Sequence, residues 1–258
     1  MRRSVTGALA GVMAATMAVG LAGGVVAKTP KPTKTDATAA PAASAAPAPS
    51  AGPGLLGATH VVWSDDFSAP TTWQTGSDES GTTEYQDGML SVTVAQDGSS
   101  VWDDHTLDAA YPVLRVQALI ASDGSGLGGV ACGSSKGLER WLYAGTDGSG
   151  GWLFGRIIDT RLQVIQRGDL SRDLDWEHVT MGIECASAPD EGGDHVVVTA
   201  DGTPVTTAFD IPVGPYDKAT ILVAADTAPV EVRFDDMVVS AGDAYVAPAP
   251  GSLPSPAP

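Results

Sequence analysis

Few groupings in this sequence could do covalent chemistry. The densest is Asp173-Leu174-Asp175-Trp176-Glu177, three acids at alternate positions. On a strand, that alternation would put all three carboxyls on one face. A retaining carboxylate pair needs a separation of about 5–5.5 Å, whereas positions i and i+4 on a strand lie roughly 13 Å apart. Asp173 is a methylene too short to help close that gap, and the triplet follows the turn-like Arg167-Gly168-Asp169-Leu170-Ser171-Arg172. A solvated acidic loop is therefore expected. The alternative is catalysis by Asp173 and Glu177, with Asp175 tuning their protonation.

Two glycine motifs are weaker. Gly133-Ser134-Ser135-Lys136-Gly137 spells G-x-S-x-G, which needs a strand, a sharp turn and then a helix to expose its serine. Here the strand-like Glu139–Gly145 follows it. Gly124, Gly126 and Gly129 spell G-x-G-x-x-G, but no helix start follows to hold a pyrophosphate. Both read as accidents of composition. His60, His105, His178 and His195 are scattered. Asp65 and Asp66 in a first strand and Asp235 and Asp236 in a last one could meet. Asp66 and Asp235 are thus candidates for a structural calcium site, against the plainer role of strand-end turns. No cofactor is required.

Two cysteines, Cys132 and Cys185, lie in strand-like runs. Neither has a histidine in a suggestive local motif, so a nucleophilic thiol lacks its base. A disulfide is the leading reading and two free thiols the alternative. A bridge closing a loop of that length stabilises by roughly 4 kcal/mol on the chain-entropy model. Six tryptophans remain, Trp63, Trp73, Trp102, Trp141, Trp152 and Trp176. Sugars stack on flat aromatic platforms, so Trp102, Trp141 and Trp152 are the candidate ligand contacts. Trp102, beside Asp103, Asp104 and His105, reads as an exposed loop residue. Trp141 with Tyr143, and Trp152 with Phe154, share strand faces whose default role is core.

The elements that must position these residues are strands. Short alternating or β-branched runs recur near residues 60–67, 89–95, 112–120, 128–133, 139–145, 151–158, 161–166, 177–185, 194–200, 204–210, 219–225 and 230–240. Asp-Gly at 87–88, 97–98, 123–124, 147–148 and 201–202 suits tight hairpins, hence antiparallel pairing. An all-β, two-sheet antiparallel sandwich or jelly roll is expected.

The flanks are of another kind. Met1-Arg2-Arg3, the uncharged run Gly7–Ala27 and the small-residue exit Val25-Val26-Ala27 form an expected signal peptide over 1–27. An uncleaved anchor is its rival, although so much Ala and Gly makes a weak span. Residues 28–57 read as an Ala/Pro-rich linker, 58–243 as one domain and 244–258 as a disordered Pro-rich tail. The domain carries 9 basic and 30 acidic residues, a net charge of −21, which excludes a nucleic-acid partner and suits neutral or basic ligands.

The stretches "WSDDFS…W…EYQDGMLSV", "GGVACGSSKGLERWLYAGTDGSGGW", "IECASAPDEGGDHVVVTADGTPV" and "VEVRFDDMVVS" together resemble secreted bacterial domains of the concanavalin A-like lectin/glucanase jelly-roll superfamily, akin to laminin G-like modules. The resemblance covers nearly the whole domain. It implies the fold and the pairing of Cys132 with Cys185. Some glucanases of the superfamily carry Glu-x-Asp-x-Glu on one strand, and Asp173, Asp175 and Glu177 match only the spacing. The resulting expectation is an exported, non-catalytic domain that binds polysaccharide, cell-wall polymer or a surface protein. A glycoside hydrolase and a purely structural or protein-interaction domain are the alternatives.

Overall fold

The computed structural model describes residues 3–5 and 54–254, apart from 125, 136–139, 159–160, 211 and 250. The expected signal peptide and most of the linker lie outside these residues. Among them run sixteen strands, beginning with β1 (Arg3–Val5), β2 (His60–Asp65), β3 (Gly76–Ser77), β4 (Gly81–Gln86) and β5 (Met89–Val94). Next come β6 (Ser99–Tyr111), β7 (Val113–Ser122), β8 (Leu127–Ser134), β9 (Arg140–Thr146), β10 (Gly151–Ile158) and β11 (Arg161–Asp169). The last are β12 (His178–Ala188), β13 (Gly193–Ala200), β14 (Thr203–Asp210), β15 (Tyr216–Ala225) and β16 (Val230–Gly242).

They form two antiparallel sheets. One has seven strands in the order β1-β6-β15-β8-β9-β10-β11. The other has nine, β14-β13-β12-β7-β16-β5-β4-β3 with β2 also on β16. Asp-Gly closes hairpins at 87–88, 147–148 and 201–202, whereas at 97–98 and 123–124 it turns the chain from one sheet to the other. Asp87 and Gly88, like Asp201 and Gly202, both take positive φ, the geometry of a type I′ turn. The expected strands are present. Four were missed: the short β1 and β3, then β4, and the 13-residue β6, whose Asp-rich middle reads as a loop in sequence.

The main core lies between the sheets. Leu114, Val116, Ala118 and Ile120 of β7 alternate inward and meet Val130, Leu142, Ala144 and Phe154 of the facing sheet. Each fully buried side chain of this kind contributes about 1.5–3 kcal/mol. Cys132 on β8 and Cys185 on β12 are bonded across the core, stapling sheet to sheet with Cα atoms 6.5 Å apart.

The chain ends of the domain differ from expectation. Glu184, on the outer side of β12, is 2 % exposed. Its carboxylate accepts hydrogen bonds from the backbone N–H groups of Leu55, Leu56 and Ala58. Leu56 and Ala58 pack with Val113, Ala186 and Val197, joined by Tyr245 and Leu253. Tyr245 stacks on His195 at 4.6 Å, and the Val246 N–H donates to Leu56 O. Residues 54–57 thus belong to the fold rather than to the linker. Within 244–254, Tyr245 and Leu253 pack on this cluster, while Ala244, Val246, Ala247, Ala249, Gly251 and Ser252 are exposed.

Candidate functional site

The seven-stranded sheet has two apolar faces. Its inner face joins the main core. Its outer face carries a second cluster of Trp102, Ala131, Trp141, Tyr143, Ile157, Leu222 and Ala224, with Leu127, Leu153 and Leu162 packed against it. Strand register explains the grouping. Trp102 lies opposite Leu222, and Leu222 opposite Gly129. Thr220 lies opposite Ala131, and Ala131 opposite Tyr143. Gly133 lies opposite Trp141, and Trp141 opposite Ile157.

Glycines make room for the rings. A Cβ on Gly133 would collide with the Trp141 indole, and one on Gly129 or Gly145 with the Tyr143 ring and hydroxyl. The aromatic side chains therefore lie down across neighbouring strands. Trp102 and Trp141 pack at 5.2 Å between ring centroids, tilted by 40°.

Three polar atoms on this face are buried without a hydrogen-bond partner among the described residues: Trp141 Nε1, Tyr143 Oη and Thr220 Oγ1. Burial pushes the Tyr143 hydroxyl's pKa well up, so it stays a neutral donor and acceptor. An unmade buried hydrogen bond costs about 1–3 kcal/mol. Asp104, beside Thr220 on β6, is paired with Lys218 of β15 and is thereby neutralised. At one end of the strands a cavity of about 760 Å³ opens, lined by Leu127, Leu153, Leu162 and Val164 among others, with Arg167, Asp147, Asp169 and Asp226 at its polar edge.

No family model matches the chain, and no curated protein sequence is similar to it. Several solved structures share its architecture. A Bacillus subtilis protein of unknown function with a galectin-like fold aligns with TM-score 0.52 at 13% identity, over 71% of this chain and 97% of that one. A Bacillus licheniformis β-glucanase aligns at 0.50 and 12%, over 71% and 99%. An endo-1,3-β-glucanase from Streptomyces sioyaensis aligns at 0.50 and 14%, over 77% and 100%. The fold is the concanavalin A-like jelly roll.

Within this jelly roll the residues singled out in the sequence part company. Trp102 and Trp141 come together on the outer face. Trp102 is not a loop residue: it sits in β6 and is 6 % exposed. Trp152 lies on the inner face with the main core. Trp141 and Trp152 therefore do not share a surface, because β9 and β10 are paired in a register that sets Trp152 opposite Thr146.

Asp173, Asp175 and Glu177 occupy successive turns between β11 and β12, not one strand face. The Leu174 N–H donates to Ser171 O and the His178 N–H to Asp175 O, while Asp175 Oδ1 accepts from the Glu177 N–H. Trp176 Nε1 donates back to Ser171 O, fixing the loop. Turn geometry, not strand alternation, governs this acidic run.

The carboxylates at the terminal strands are close enough to interact, though largely committed to their own backbone. Asp65 Oδ1 accepts from the Phe67 N–H, and its other oxygen takes the Thr71 hydroxyl. Asp66 accepts from the N–H and hydroxyl of Ser68, and Asp235 from the Asp236 N–H. Partial burial, and then Asp236, Asp66 and Asp65 nearby, push the Asp235 pKa up. Among the described residues no group of three His, Cys, Asp or Glu side chains is arranged to hold a metal.

Ser135 of the G-x-S-x-G run donates its N–H and hydroxyl to Asp217, and Lys136 and Gly137 lie outside the described residues. Gly124, Gly126 and Gly129 lead into and along strand β8, with no helix after them. Thr220, Asp104 and Lys218 were missed in sequence. The spacing of Gly129, Gly133 and Gly145 on β8 and β9 was their available signal, since glycines on one strand face mark where rings from a neighbouring strand lie down.

Proposed function

We propose that this chain is an exported jelly-roll domain that binds carbohydrate or a cell-surface polymer without cleaving it, through the outer face of the seven-stranded sheet. The observation that carries this is the gathering there of two packed tryptophans and three buried, unpartnered hydrogen-bonding atoms on Trp141, Tyr143 and Thr220. Aromatic and aliphatic surface suits the apolar faces of sugar rings, and hydroxyl groups supply both donors and acceptors to atoms that lack them.

Binding without cleavage is supported by where the acids sit. Glycoside hydrolysis calls for two carboxyls flanking one bond. Among the described cross-strand neighbours of Trp102, Trp141, Tyr143 and Thr220, Asp104 is the one carboxylate, and Lys218 holds it; Asp147, Asp169 and Asp226 line the adjoining cavity instead. The names of the similar structures, glucanases and a galectin-like protein, agree with a carbohydrate ligand. The disulfide agrees with an extracellular setting. Among the described residues no helix is long and apolar enough to cross a membrane.

The test incubates the exported protein with insoluble polysaccharides and cell-wall preparations and follows both co-sedimentation and reducing-sugar release. Retention without release, weakened in Trp141→Phe, is the expected result. Release that disappears in Glu177→Gln would replace this reading with a hydrolase. Neither signal from folded protein would transfer the face to a protein partner.

A further inference from the structure

Strand β11 is the last strand of the sheet that carries the aromatic face. It pairs with β10 on one side, and among the described residues no strand lies on the other. An edge of nine residues is longer than most strands, and it leaves a row of backbone donors and acceptors open to a further strand. Its side chains do not guard it: Val164 and Ile165 are 51 % and 40 % exposed. Gln166 turns inward, donating to Thr207 O and accepting from the Thr206 hydroxyl of β14. The inner side of this edge is therefore closed, and its outer side is open.

The end of this strand carries its own electrostatic complement. Arg167 lies opposite Leu153 and Asp169 opposite Gly151, so both stand on the outer face, at the cavity that they line with Val164. Both are exposed, and among the described residues neither side chain has a hydrogen bond or ion pair. Gly168 sits between them, where a Cβ would meet the Trp152 indole. An antiparallel copy of the strand, related by a two-fold axis at Gly168, sets each Arg167 opposite the other copy's Asp169. One self-complementary contact thus makes two ion pairs. Charge also points to this edge. The acidic domain repels a second copy over most of its surface, but residues 161–172 hold three bases against one acid.

We propose that β11 pairs with β11 of a second copy of this chain about Gly168, joining two seven-stranded sheets into one. A two-fold axis through an antiparallel strand pair stands perpendicular to the sheet, so both aromatic faces lie on the same side. The cavity at the strand end is then completed by both copies, and a polymer meets two faces at once. The consequence for binding rests on the carbohydrate reading above, whereas the pairing does not.

Sedimentation velocity of the exported protein tests the pairing at about 0.15 M salt, which screens the long-range repulsion between acidic domains. A monomer–dimer equilibrium that moves with concentration is expected. Arg167→Asp and Asp169→Arg each place like charges across the axis, and each should raise the dissociation constant about tenfold. The exchange Arg167→Asp/Asp169→Arg restores both ion pairs and should restore the dimer, which a merely unfolded variant could not do. A monomer at every concentration would overturn the pairing and leave the edge to a different partner. A dimer indifferent to both single reversals, or a folded exchange variant that stays monomeric, would also overturn it. Retention on insoluble polysaccharide should fall about tenfold with each single reversal and return with the exchange, because two linked faces bind a polymer with avidity. Retention that ignores loss of the dimer would overturn the shared binding surface. No retention by any form, with the dimer behaving as expected, would remove the carbohydrate reading and leave the pairing standing.

Discussion

Trp141 and Trp152 sit on paired strands of one sheet and finish on opposite sides of it. Trp152 belongs to the core between the sheets, with Phe154, Leu142, Val130 and the Cys132–Cys185 bridge, and also lines the cavity at the strand ends. Around Trp141 a second apolar layer has formed on the outside. It rests on glycines, and its polar atoms lack partners. The inner layer has an unpartnered ring nitrogen of its own, Trp73 Nε1, but the outer layer gathers three such polar atoms on β9 and β15. Among the described residues these three atoms of the outer layer are buried without a partner, and the proposed binding role rests on that cluster.

That contrast can be broken by mutation, and the largest effect belongs to the inner face. Trp152→Ala should destabilise the fold by about 3–5 kcal/mol through lost burial and a residual cavity. Urea unfolding reads this directly, and a loss below about 1 kcal/mol would mean that Trp152 is not a core residue.

The outer face should behave in reverse. Tyr143→Phe and Thr220→Val remove hydroxyls that have no partner to lose, so stability should stay within about 1 kcal/mol or rise. Ligand retention should fall several-fold in the same proteins. A large loss of stability in either variant would show that its hydroxyl is already satisfied in the folded chain, and the contrast between the two faces would collapse.

The smallest effect concerns charge. Asp235 has its pKa raised in the folded state above the ordinary 3.8, by burial first and then by neighbouring acids. A raised carboxyl favours folding when protonated, so its contribution is fully present below about pH 3.8 and is lost as pH rises through the folded-state value. Asp235→Asn should therefore stabilise the protein modestly at neutral pH, and the gain should fade on acidification. Thermal melts across pH 3–7 would check this, and a gain that grows towards acid would contradict the assigned sign.

Much of this jelly roll was legible in the chain. Asp-Gly at 87–88 and 201–202 specifies tight turns because those positions take positive φ. The alternation in Val113–Ser122 marks a strand with one face in the core. β6 escaped because Asp103 and Asp104 look like loop residues. Pairing on β15 and β1 supplies its backbone partners, while Asp103 is answered by the Gln74 N–H and Asp104 by Lys218. The acid triplet misled in the other direction: its spacing suggested a strand face, and local hydrogen bonds between residues 171 and 178 made it a series of turns.

The sequence by itself determined the strand rhythm, the hairpin positions and the cysteine pair, because period-two patterning, turn chemistry and the presence of only two thiols are local or countable. Which apolar face turned inward was decided only by tertiary structure. Alternation assigns residues to two sides without saying which side meets the other sheet, and here both sides are aromatic. Strand order brought Trp102, Trp141, Tyr143 and Thr220 together from β6, β9 and β15, and sheet pairing over such separations is written in no local stretch of the chain.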